Sequence, residues 1–116
     1  MSIRRLHCGP RMSEAVIYNG VVYLAGQVAE DAEQDITGQT QQVLAAIDAL
    51  LAEAGTDKSR LLTAQIFLKD LADFAAMNAV WERWVAPGAT PTRATIQASL
   101  ARPGWKVEVL VTAAAA

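Results

Sequence analysis

The run from Leu61 to Leu68 does most to limit what this chain can fold into. It is eight residues rich in large apolar side chains and alternates only weakly, the pattern of a central strand covered on both faces. A helical pattern flanks it on each side. From about Thr37 to Ala54, Val43, Leu44, Ile47, Leu50, Leu51 and Ala54 recur at helical spacing, and Gly55 suits a left-handed cap at the end. On the other side, Asp70 or Asp73 can cap a second helix with a stripe of Phe74, Met77, Val80, Trp81 and Trp84, which Pro87-Gly88 ends. Strand-helix-strand units in one sheet are almost always right-handed, so both helices are expected on the same face. No helix remains for the opposite face, and packing it against further copies of the chain is the natural way to bury it.

The outer segments fix the rest of the order. Asn19-Gly20 tolerates positive φ at both turn positions and joins the β-prone runs Ala15–Tyr18 and Val21–Ala25, which predicts a hairpin. Thr92 to Ala98 and Trp105 to Thr112 are the last two strands, and Ile3 to Leu6 can add a short one at the start. The fold class is therefore α+β: a ββαβαββ order with one mixed sheet and two helices on one face. With 116 residues the chain has room for a single domain spanning 1–116. Its apolar fraction of 53% is rich in alanine, which buries little area, so association would add stability.

Charge and cysteine content narrow the function classes. A net charge of -2 with no basic stripe argues against a nucleic-acid partner, and the Arg4, Arg5 and Arg11 cluster is read as solvated. No segment has the length and apolarity of a membrane span or a signal peptide, and the lone Cys8 cannot form an intrachain disulfide; a cytoplasmic setting is expected. His7 is the only histidine, so a Cys/His metal site cannot be assembled within one chain. His7 and Cys8 point to opposite sides of an extended segment and make no natural nucleophile-base pair.

Arg93 is a charge in an unusual place: it is the only charged residue between Val85 and Ala101. Alternation puts Arg93, Thr95 and Gln97 on one strand face and Ala94, Ile96 and Ala98 on the other. In the last strand Trp105, Val107, Val109 and Val111 form an apolar face, with Lys106, Glu108 and Leu110 opposite. A guanidinium suits bidentate capture of a carboxylate, and a partly desolvated carboxylate can hold a water. Arg93 and Glu108 can equally form an ion pair, within the chain or across a subunit contact. Asn78 is expected to serve a neighbouring loop backbone, and Gly26 to permit a close backbone approach.

These residues also carry a family resemblance along nearly the whole chain. Ser13-Glu14-Ala15-Val16, Gly20 and Leu24-Ala25-Gly26-Gln27 resemble the opening of the reactive intermediate deaminase family (RidA, YjgF-type). Gln39-Thr40 with Gln42-Val43-Leu44, Phe67-Leu68-Lys69-Asp70 with Asp73-Phe74-Ala75-Ala76-Met77-Asn78, Pro91-Thr92-Arg93-Ala94 and Val107-Glu108-Val109 are similar to its later motifs. The resemblance implies a chorismate-mutase-like fold and a homotrimer with ligand clefts between subunits. It implies that 2-imino or 2-enamino acids are hydrolysed to 2-oxo acids and ammonia without metal or cofactor. Arg93 would bind the substrate carboxylate and Glu108 would position water, with Met12, Gly26 and Thr95 at substrate-binding positions. Met12 replaces a tyrosine common in the family, Thr95 a cysteine and Leu110 a second glutamate, which marks a divergent branch. The alternatives are a trimer that binds a small carboxylate metabolite without catalysis and a scaffold in which Arg93 and Glu108 only join subunits.

Overall fold

The computed structural model describes residues 2–116. Its strands are β1 (Arg4–Leu6), β2 (Ala15–Tyr18), β3 (Val21–Leu24), β4 (Gln27–Val28), β5 (Leu61–Leu68), β6 (Thr92–Gln97) and β7 (Val107–Ala114). The helices are α1 (Ile36–Glu53) and α2 (Phe74–Trp84). All seven strands form one mixed sheet in the order β1-β2-β3-β7-β5-β6, with β4 beside β7. The β5–β6 pair is parallel and the other pairs are antiparallel.

Local chemistry accounts for the boundaries. Asn19 and Gly20 hold φ of 52° and 79°, the turn the dipeptide predicts. Asp35 caps α1 by accepting the Gly38 N–H at 2.8 Å. Gly55, at φ 83°, ends the helix, with the Thr56 N–H bonded to the Leu51 carbonyl at 2.9 Å. Asp57 caps the short turn before β5; bonds from the Ser59 hydroxyl and then its backbone N–H hold the carboxyl below its usual pKa. Asp70 caps the turn Leu71–Asp73, and α2 follows without a side-chain cap from Asp73.

The core lies on one face of the sheet. Val107, Val109, Val111 and Ala113 of β7 and Ala64, Ile66 and Leu68 of β5 are buried there. Against them pack Val43, Leu44, Ile47 and Leu51 of α1 with Met77, Val80 and Trp81 of α2. The helices lie side by side, tied by the Trp84 indole N–H donating to Asp48 at 2.9 Å. Three expectations are corrected here. β5 is central but covered on only one face in the chain, since Leu62, Thr63 and Gln65 are exposed. Phe74 is 42% exposed and so leaves the buried stripe of α2. The last strand begins two residues later than predicted. There, the Trp105 N–H closes a turn on the Arg102 carbonyl and the Lys106 N–H donates to Gln39.

Gln39 is fully buried and ties three segments together. Its amide nitrogen lies within 3.0–3.1 Å of the Ala32, Gln34 and Gly104 carbonyls, and its oxygen accepts the Lys106 N–H at 2.9 Å. A leucine at this position would fill the space but strand buried backbone groups. Gln39→Leu should therefore lower the unfolding free energy by about 2–4 kcal/mol in denaturant titration. A loss within ~0.5 kcal/mol of zero would show that these bonds do not hold the fold together.

Candidate functional site

Strand register decides which polar side chains share a face. Ala64 of β5 pairs with Arg93 on one side and Val111 on the other, so Arg93 points to the helix-covered face with Val111. Phe67 pairs with Ile96 and Glu108, so Glu108 points to the open face with Ile96. Arg93 and Glu108 therefore lie on opposite faces of one sheet. Their strands also flank β5, two strand spacings or about 10 Å apart. An ion pair between them within one chain is ruled out.

On the helix side, β6 presents Arg93, Thr95 and Gln97 to the start of α2. The Arg93 guanidinium carbon lies 5.9 Å from the Phe74 ring centroid and 5.5 Å from that of Trp81. These two rings and Asn78 occupy positions i, i+7 and i+4 of α2, one stripe of the helix facing β6. Cation–π attraction to two rings orients the guanidinium while leaving its N–H edge free. Among the described residues Arg93 has no carboxylate within salt-bridge distance and no hydrogen bond to protein. A five-donor cation has thus been oriented without being neutralised.

Two buried oxygens lie in the elements around this arginine: Thr95 Oγ1 and Asn78 Oδ1 have no hydrogen-bond partner. The expected Asn78 bond to a loop backbone is absent. Sequence spacing placed Thr95 beside Arg93, but α2's approach, which also aims Asn78 at β6, was not visible in it. Gln97 is engaged structurally, its oxygen accepting the Leu71 N–H at 3.2 Å.

The open face carries the second group. β3 and β4 run beside β7 with a break at Ala25-Gly26, and Glu108 lies beside that break, paired with Val28. A Cβ at Gly26 would lie 2.1 Å from Glu108 Oε2 and 3.0 Å from its carboxyl carbon. The missing side chain thus leaves room for the glutamate to lie along the backbone. The segment before Ala15 borders the same break. The Ala25 N–H donates to the Glu14 carbonyl at 2.9 Å, and the Gln27 amide donates to the Glu14 carboxylate at 2.9 Å. Met12, two residues earlier, is exposed, and its carbonyl accepts the Gly9 N–H at 2.8 Å.

The predicted site residues therefore fall into two groups: Arg93 and Thr95 with the α2 rings, and Glu108 and Gly26 with Met12 nearby along the chain. His7 joins neither, since its Nε2 lies 2.6 Å from Glu53 at the end of α1. Among the described residues no cluster of acidic, histidine and cysteine side chains could hold a metal ion, and no helix is long and apolar enough to cross a membrane.

Residues 3–115 match the family described as "Endoribonuclease L-PSP". A RutC family protein of Haemophilus ducreyi is 52% identical over 112 residues, covering 97% of this chain and 96% of that protein. The RutC family protein YoaB of Escherichia coli is 46% identical over 114 residues, covering 98% and 99%. A crystal structure of a YjgF family member from Neisseria meningitidis superposes with a TM-score of 0.97 at 49% identity, covering 100% of this chain and 97% of that one.

The fit of Gly26 against Glu108 can be tested in isolation. Gly26→Ala should cost about 1–3 kcal/mol of stability, and markedly less in a Glu108→Ala background, by a denaturation double-mutant cycle. Equal costs in both backgrounds would contradict this contact.

Proposed function

The chain belongs to the endoribonuclease L-PSP family, with its RutC and YjgF members, and on that premise we propose that it hydrolyses 2-imino acids and their 2-enamino tautomers to 2-oxo acids and ammonia. The observation that carries the reading is Arg93: a guanidinium oriented by two aromatic rings with no acid of the chain to neutralise it. That is the state in which a carboxylate-bearing substrate gains most from bidentate hydrogen bonding.

The working site is composed of two copies. Glu108 cannot reach an Arg93-bound substrate in its own subunit, because the sheet lies between them. The open face supplies the contact surface: Tyr23, Ile96 and Leu62 are 47%, 52% and 44% exposed, and no helix covers them. Packing these faces around a threefold axis would bring the Glu108 and Gly26 group of one copy to the Arg93 edge of the next. The closed ring is a homotrimer with a cleft at each subunit contact.

Hydrolysis then needs little machinery. Arg93 holds the substrate carboxylate, fixing the imine carbon beside Glu108 of the neighbouring copy. The Glu108 carboxylate takes a proton from water as the oxygen attacks that carbon, and the C=N electron pair moves onto nitrogen. Glu108 returns the proton to nitrogen, ammonia leaves, and loss of the hydroxyl proton forms the 2-oxo acid. The protonated imine is already electrophilic, so orientation and proton transfer suffice. Thr95 and Asn78 form the polar wall behind Arg93, and Met12 borders the cleft from the other copy. Nuclease chemistry fits this chain less well, since the chain is acidic overall and its one histidine is paired with Glu53.

The test follows decay of 2-iminopropionate, generated in situ, to pyruvate. Arg93→Ala should lower kcat/KM by about 100-fold, and Arg93→Lys should recover little, because an ammonium cannot form the planar fork. Glu108→Gln should lower kcat by about 100-fold or more with unchanged circular dichroism. Equal decay with and without wild-type protein would refute the reading for that substrate. If wild-type protein does not speed the decay but an oxo acid still binds it and not Arg93→Ala, the chain is a carboxylate binder without this chemistry.

A further inference from the structure

Two surface hollows are lined by none of Arg93, Thr95, Glu108, Gly26 and Met12. They measure about 550 and 600 Å3 and share Lys69 and Gln97. Both open at the carboxyl ends of β5 and β6, the one parallel pair in the sheet. Gln97 lies four residues along β6 from Arg93, about 13 Å at 3.3 Å per residue.

The charges around the crevice are held apart. Arg102, Ser99 and Lys69 line one hollow; Lys69, Lys106, Asp70 and Asp73 line the other. Among the described residues none of these ammonium or guanidinium groups comes within salt-bridge distance of Asp70 or Asp73. Lys69 donates to the Pro103 carbonyl at 2.7 Å, which fixes its position without cancelling its charge. The Arg102 guanidinium is oriented by the Trp105 ring, 5.2 Å from its centroid. Gln97 accepts the Leu71 N–H through its oxygen, which leaves its amide nitrogen as a donor. Asp70 accepts the Ala72 N–H at 2.9 Å with one oxygen and keeps the other free. Asp73 makes no side-chain cap bond to α2.

The crevice thus has a donor-rich cationic end at Arg102, Ser99 and Lys69, and a mixed-charge end where Asp70 and Asp73 lie beside Lys69 and Lys106. A bare anion would meet the two aspartates and a bare amine the three bases. A ligand carrying both charges satisfies each end. We propose that this crevice is a second binding site, separate from the Arg93 cleft, for a free α-amino acid, with its carboxylate toward Arg102 and Lys69 and its ammonium toward Asp73 and Asp70. The assignment is independent of the imine chemistry.

The test is calorimetric titration of the Arg93→Ala protein in its native assembly with a panel of free L-α-amino acids, using acetate and methylammonium as single-charge probes. At least one amino acid should bind, and each single-charge probe should bind at least about ten-fold more weakly. Arg102→Ala and Asp73→Asn, each made in the Arg93→Ala background, should each weaken amino-acid binding by about ten-fold. The helical circular dichroism signal should not change, as Arg102 is exposed and Asp73 half-buried. The proposal is overturned if no amino acid binds the Arg93→Ala protein, whether or not one binds the wild type, if acetate or methylammonium binds as well as the amino acids, or if the Arg102 and Asp73 substitutions leave binding unchanged.

Discussion

The hydrogen-bond register of β5 with its two neighbours is the constraint on which the site depends. One ladder aligns Ala64 with Arg93 and the other aligns it with Val111; three residues along, Phe67 aligns with Ile96 and Glu108. Because side chains alternate with a period of two, this offset places arginine and glutamate on opposite faces. A one-residue slip of β7 against β5 would put both on one face, where they could neutralise each other. It would also expose Val107, Val109 and Val111 or bury Glu108 against α1 and α2. Packing of the core therefore enforces the separation that keeps Arg93 available to a ligand.

The same register explains why the chain alone looks unfinished. One face of the sheet is covered by two helices and the other by nothing, yet the uncovered face carries Tyr23, Ile96 and half-buried Phe67. In the proposed trimer this face supplies both the association surface and the Glu108 side of the cleft. Gly26 belongs to the same arrangement: it interrupts the strand beside β7 where the glutamate needs space. Stability of the assembly and completion of the site then depend on one surface, so substitutions on the open face should change both together.

Much of the architecture was legible in the sequence because it rests on local chemistry. Asn19-Gly20 could form one kind of hairpin turn, Gly55 could end α1, and the helical stripes of Val43, Ile47, Leu51 and of Met77, Trp81 marked the buried faces. Alternation also grouped Arg93 with Thr95 and Gln97, and Glu108 with Leu110. What alternation within a strand cannot supply is the relation between two strands, which is set by pairings with β5 far away in the chain. The sequence therefore left open whether Arg93 and Glu108 meet, and the structure excludes it within one subunit. Phe74 was misread for a related reason: helical period assigns it to the core, but only the position of β6 shows that its ring lies over Arg93. The start of β7 was misplaced because buried Gln39 takes the Lys106 N–H.

The central claim is that one copy's Arg93 and another's Glu108 make a single working cleft, and mixing two inactive proteins tests it most directly. Arg93→Ala and Glu108→Ala subunits, unfolded together and refolded as an equal mixture, should regain imine-hydrolysing activity. In a randomly assembled ring about one cleft in four receives both intact residues, so activity should approach a quarter of the wild-type level. Activity no greater than that of the two variants refolded separately, in mixtures shown by mass spectrometry to contain mixed assemblies, would contradict the account.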